Sequence, residues 1–155
     1  MIALRPAQEQ DAALLVELSR RAFDSDGDYG APGPGGPPGY DDAAWQRRAI
    51  DWADYYVISL DGAAIGGIIA YSTAPGEYEM GRIFLAPEWQ NQGLGREALV
   101  LLWPLYPHAA VWRLDTPAWN VRTRHFYARE GFVETSVTED GTVMFERQVT
   151  PAGRQ

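Results

Sequence analysis

Apolar and polar positions change period several times along the chain, and each change marks an element. Ile2-Ala3-Leu4-Arg5-Pro6 alternates in steps of two and predicts a short first strand. From Ala12 to Phe23, Leu14, Leu15, Leu18 and Phe23 recur at helical spacing. Arg20 and Arg21 stand near the end of that run, where the helix dipole favours cations. Residues 31–39 are almost all Gly and Pro and cannot form the interior of a helix or strand. Asp41-Asp42 then opens a second helical run holding Trp45, Ala49, Ile50 and Trp52. Tyr55 to Leu60 and Ala63 to Ser72 read as strands joined by a tight turn at Asp61-Gly62. A further turn at Pro75-Gly76 leads into a strand from about Glu77 to Leu85.

The second half has the same punctuation. A helix begins near Gly93 and is disturbed near Pro104. Val111 to Asp115 is strand-like, and Asn120 to Glu130 is helical until Gly131 stops it. Phe132 to Val137 and Thr142 to Gln148 form a hairpin across Asp140-Gly141. One strand, two helices, three strands, a helix, a strand, a helix and two strands predict a mixed α/β (or α+β) sheet with helices on its faces. Residues 1–149 are expected to form one domain, and 150–155 to fray.

Composition narrows the chemistry. The 155 residues are 46% hydrophobic, enough for one real core, and none is Cys. Disulfides, thiol nucleophiles and cysteine-bound metals are thereby removed. No stretch reads as a signal peptide or a membrane span, so a cytoplasmic protein away from membranes is expected. A net charge of −8 argues against nucleic acid as a partner and favours a cationic small molecule. The two histidines, His108 and His125, stand apart with no metal-ligand spacing, so no metal is expected.

The densest chemical signal is Gln90-Asn91-Gln92-Gly93-Leu94-Gly95-Arg96, between a strand ending at Pro87 and a helix. Glycines there let the chain turn and leave first-turn N–H groups uncovered. Those groups carry the positive end of the helix dipole and suit a pyrophosphate. A dinucleotide fold is the other use of such glycines, but the spacing is not Gly-x-Gly-x-x-Gly, and no N-terminal βαβ unit surrounds it.

Gln90-Asn91-Gln92-Gly93-Leu94-Gly95 resembles the Gln/Arg-x-x-Gly-x-Gly/Ala hallmark of the GNAT superfamily of N-acetyltransferases. The run from Asn120 through Phe126-Tyr127 to Gly131-Phe132 is similar to that family's Asn…Phe-Tyr…Gly-Phe segment. The likeness is strong over 77–132, and element order extends it over nearly the whole chain. It implies a twisted, mostly antiparallel mixed sheet of about seven strands with about four helices. It also implies acetyl-CoA as cosubstrate, an amine as acceptor, and a homodimer as a common assembly. CoA would lie on Gln90, Asn91, Gln92, Gly93, Leu94, Gly95 and Arg96. Its arm would run beside Ile83, Phe84 and Leu85, on a strand that splays from its neighbour. Asn120 either caps its helix or touches that arm.

By the same resemblance Tyr127 is the general acid for the leaving sulfur; a phenol is protonated at neutral pH. Glu79 leads as general base, with Glu77 second, and side-chain alternation sets Glu79 on one face with Gly81, Ile83 and Leu85. Arg82 then faces the other way, as a surface or salt-bridge residue. Asp24, Asp26, Asp28, Tyr29, Tyr40, Asp41 and Asp42 flank the Gly/Pro segment where the family builds its acceptor pocket, so this loop is expected to lid the site. The tryptophans, Trp52 among them, read as core. A non-catalytic acyl-CoA binding or sensing module is the alternative to an enzyme.

Overall fold

Seven strands and four helices answer this punctuation in a computed structural model that describes residues 1–149. The strands are β1 (Ile2–Pro6), β2 (Asp54–Leu60), β3 (Ala63–Ala74), β4 (Glu77–Leu85), β5 (Val111–Pro117), β6 (Val133–Val137) and β7 (Thr142–Gln148). The helices are α1 (Ala12–Asp24), α2 (Ala43–Trp52), α3 (Leu94–Leu102) and α4 (Val121–Arg129). The fraying expected for 150–155 lies outside the described residues. Among the described residues, no helix is long and apolar enough to cross a membrane.

Local chemistry sets the boundaries. The Asp42 carboxylate accepts from the N–H groups of Ala44 and Trp45 and caps α2. Pro104 turns the end of α3 into a 3-10 turn over Trp103–Leu105. Gly131, at φ +93°, ends α4. The Phe132 N–H donates to Tyr127 O, and the Gly131 N–H to Ala128 O, the paired bonds of a Schellman stop.

The strand order is β1-β2-β3-β4-β5-β7-β6, antiparallel throughout except for β4 beside β5. α1 and α2 cover one face, burying Leu15, Leu18 and Ala49 against Tyr55, Val57, Ile69 and Phe84. α3 and α4 cover the other, where Leu99, Leu102 and Tyr127 meet Ile58, Ile68, Met80, Trp112, Leu114 and Phe145. Leu99 and Leu102 are fully buried, so truncating either to Ala costs about 2–5 kcal/mol.

The β3–β4 hairpin breaks its own alternation twice. Tyr71 pairs with Glu79 and Ala70 with Met80, but Ile69 pairs with Arg82, so Gly81 is an extra residue on β4. Ser72 pairs with Tyr78 but Ala74 with Glu77, so Thr73 is an extra residue on β3. The two bulges cancel, and register is restored beyond each. Between them the faces are exchanged relative to an unbroken count. Glu79 therefore does not share a face with Ile83 and Leu85, as alternation predicts. It lies with Tyr71, Arg82 and Phe84 on the side of α1 and α2, because a bulge advances the chain one residue without turning its side chain over.

Candidate functional site

A slot opens in the middle of the sheet. Parallel pairing of β4 with β5 is confined to Glu77 with Val111, Tyr78 with Trp112 and Glu79 with Arg113. Past that point β4 runs on to Leu85 paired with β3 alone, and β5 runs on to Pro117 paired with β7 alone. The parting coincides with the Gly81 bulge, and bulges bend the strand that holds them. The β4 edge after Glu79 thus turns main-chain groups toward β5 with no ladder partner.

α3 begins at the end of this edge. Gly93 is its N-cap at φ +80°, with no side-chain cap. Among the described residues no protein acceptor meets the N–H groups of Leu94, Gly95 and Arg96. A Cβ on Gly93 would meet nothing within 4 Å, so the ground before these N–H groups is open. A Cβ on Gly95 would come within 3.3 Å of the Phe126 ring, so this glycine serves the close packing of α3 on α4. Asn91 holds φ +62°, a left-handed conformation that Asn tolerates. The side chains of Gln90 and Gln92 turn back to the chain. Gln90 Nε2 donates to Leu85 O at 2.8 Å, and Gln92 Nε2 to Glu88 O at 2.8 Å. What the loop offers outward is main chain. Arg96 is mostly exposed and loosely paired with Glu130 at 3.7 Å, which leaves its charge beside the open helix end. Asn120 is buried and caps α4 by accepting from the Thr123 N–H at 3.1 Å.

The two titratable residues singled out from sequence flank the slot from opposite faces. Tyr127 is buried on the α3/α4 side among Phe126, Phe132 and Phe145. Burial, with the Asp115 carboxylate adding to it, pushes its phenol well above the ordinary value. Glu79 lies on the α1/α2 side. Its carboxyl is raised by burial and by Asp115, and Arg113 works against the rise. Asp115 on β5 therefore acts on both, although no motif marks it. Glu77, the second choice as base, is bound by Arg113 at 2.5 Å, which in turn holds Glu146 at 3.0 Å.

Several partners have no signal in the sequence. Among the described residues Arg82 makes no ion pair: its guanidinium donates to Pro38 O at 2.9 Å and lies 4.2 Å over the Trp45 ring, and burial lowers its pKa to about 10. The reading of Arg82 as a surface or salt-bridge residue is corrected: the face it shares with Ile69 and Phe84 is itself covered by α1 and α2, so Arg82 lies inward beneath the Gly/Pro loop. Trp52, read as core, leaves 56% of its surface exposed. Arg122 joins Gln90 Oε1 (3.1 Å) to Asp26 (3.3 Å), tying the loop before α3 to α4 and to the turn after α1. The loop carboxylates are largely engaged internally. Asp24 accepts from the Tyr40 hydroxyl at 2.8 Å, Asp26 pairs with Arg122 and Asp42 caps α2.

The sequence model of the Acetyltransferase (GNAT) family matches residues 16–132. A crystal structure of the PaiA N-acetyltransferase of Thermoplasma acidophilum with coenzyme A superposes with a TM-score of 0.80, at 18% identity, over 96% of this chain and 99% of that one. The ribosomal-protein-S18-alanine N-acetyltransferase of Escherichia coli gives 0.74, at 19% identity, over 100% and 98%. Among curated sequences, the uncharacterized protein YrkN of Bacillus subtilis is 26% identical over 76 residues, which span 48% of this chain and 41% of that protein.

Proposed function

Because the chain belongs to the GNAT family of acetyltransferases, we propose that it moves an acetyl group from acetyl-CoA to a primary amine of a small molecule, an amino acid or a protein, by direct attack of the amine on the thioester. The observation that carries this reading is the slot where β4 leaves β5, with an uncapped helix start at one end and Glu79 and Tyr127 on its two sides. The open ground before Gly93 and the unbonded N–H groups of Leu94, Gly95 and Arg96 fit a diphosphate. The unpaired main-chain edge at Ile83, Phe84 and Leu85 fits an extended arm, taken up as an added strand. The structural neighbour solved with coenzyme A supports the same cosubstrate.

Acetyl-CoA supplies the activated acyl group, and the chain's own residues do the rest. A main-chain N–H of the β4 edge stabilises negative charge growing on the carbonyl oxygen. Glu79 takes the proton of the attacking amine, and its raised pKa makes it a stronger base than an ordinary carboxylate. Tyr127 gives its proton to the leaving sulfur, and burial keeps that proton in place at neutral pH. Glu79 and Asp115 beside the slot, on a chain of net charge −8, favour a cationic acceptor. The test is calorimetry with CoA paired with a thiol-release assay over a panel of amines. Binding and release are expected. Binding without release on any amine would favour the non-catalytic module, and no binding would end both readings.

A further inference from the structure

Glu79 has one neighbour that no motif points to. Tyr71, opposite it across the β3–β4 ladder, donates its hydroxyl to the Glu79 carboxylate. The Tyr71 ring is held edge-on by Trp52 at the end of α2, with centroids 5.2 Å apart and planes at 64°. The pairing exists because of the two bulges. In an unbroken ladder Tyr71 would stand opposite Met80; the extra residues Thr73 and Gly81 on either side shift this stretch by one and bring Tyr71 opposite Glu79. Bulges are found beside sites where a side chain has to be re-aimed, and here the re-aimed side chain is Glu79.

We propose that Tyr71 is the positioning residue for Glu79, its hydroxyl holding the carboxylate in one orientation beside the slot and favouring the ionised form that accepts a proton. This rests on the reading of Glu79 as the base given above. The surroundings make the hydroxyl matter. Burial and Asp115 both disfavour the Glu79 anion. Arg113, from β5, is the cation that favours it, but its guanidinium is committed to Glu77 and Glu146. Glu77, on the same strand, is held by Arg113, while Arg82 is turned to Pro38 O and the Trp45 ring. α2 brings the uncharged ring of Trp52 against Tyr71. Among the described residues Tyr71 is the only hydrogen-bond donor to this carboxylate. A donor to a carboxylate stabilises the anion and holds its pKa down, so removing the hydroxyl moves the pKa up.

The substitution Tyr71→Phe keeps the ring and its packing on Trp52 while removing the donor. Two readouts are needed, both on the full chain. In an NMR titration of protein carrying 13C-carboxyl-labelled glutamate, the Glu79 midpoint is expected to rise by about one pH unit in Tyr71→Phe. In the thiol-release assay, the acidic limb of kcat/KM should move upward with it, and kcat should fall about tenfold from loss of orientation. Glu79→Gln should abolish that limb in either background. An unchanged Glu79 midpoint in Tyr71→Phe overturns the proposal, and so does a midpoint that moves while the limb stays. If the unmodified protein acetylates no amine, the proposed activity fails instead, and the titration still decides whether Tyr71 governs Glu79.

Discussion

Tyr127 is 6% exposed and packs on three phenylalanines, so its ring is a core element whatever its hydroxyl does. That separates two roles experimentally. Tyr127→Phe keeps the packing, so thermal stability and CoA affinity should change little, while kcat falls about a hundredfold if the phenol is the acid. Equal losses in kcat and CoA affinity would reduce Tyr127 to packing. As a candidate, Tyr127 was legible from its place in the Asn…Phe-Tyr…Gly-Phe run, and Glu79 from its strand. Asp115 and Tyr71 were not legible, because each owes its importance to a neighbour far away in the chain. Tyr71 touches Glu79 only through strand pairing, and Asp115 reaches Glu79 and Tyr127 only because β5 lies between them.

The hairpin of β3 and β4 decides the site at the scale of elements. Its turn at Pro75-Gly76 was readable, and so were both strands. Counting outward from that turn in an unbroken ladder sets Tyr71 opposite Met80, one residue away from its true partner. The glycines of the hairpin have their own constraints. A Cβ on Gly66 would overlap the Phe84 carbonyl oxygen, so β3 lies against β4 there only as glycine. The bulges suggest a sharper experiment. Deleting Thr73 and Gly81 together leaves every other residue of the hairpin on its present face, because the two irregularities cancel. The variant should fold with near-normal stability, yet β4 should follow β5 further and narrow the slot. CoA affinity is expected to drop at least about tenfold, measured by calorimetry, because the bend that the bulge supplies is lost. Unaltered affinity would mean that the parting of the strands has another cause.

Stability belongs to the whole molecule, and its pH dependence sums opposing groups. Asp11 ties β1 to the entry of α1: it accepts from Arg5 at 2.8 and 2.9 Å and from the Gln8 N–H at 2.8 Å. The Arg5 bond is the largest cause holding its carboxyl below the ordinary value. A lowered folded pKa means that the unfolded chain takes up the proton first. The contribution is therefore whole above the ordinary carboxylate range and vanishes as pH falls through the lowered value. Because Arg5 is about half exposed, the bridge is worth about 1 kcal/mol or less. Asp11→Asn should lose that amount at pH 7, and its denaturation midpoint should converge on that of the parent in acid. Glu79 and Asp26 act with the reverse sign, since burial raises both. Their ionisation costs stability as pH rises through the ordinary carboxylate range.

Sequence by itself determined the number, kind and order of the elements, the glycine-opened start of α3 and the phenol of α4. These depend on local matters: the period of apolar residues, the conformational freedom of glycine and the capping of helix ends. Tertiary structure alone decided which face Glu79 takes and where β4 leaves β5. Each of these follows from strand register, which is an agreement between two segments. One extra residue in either segment exchanges the faces, and nothing in the alternation of one strand records what its partner does.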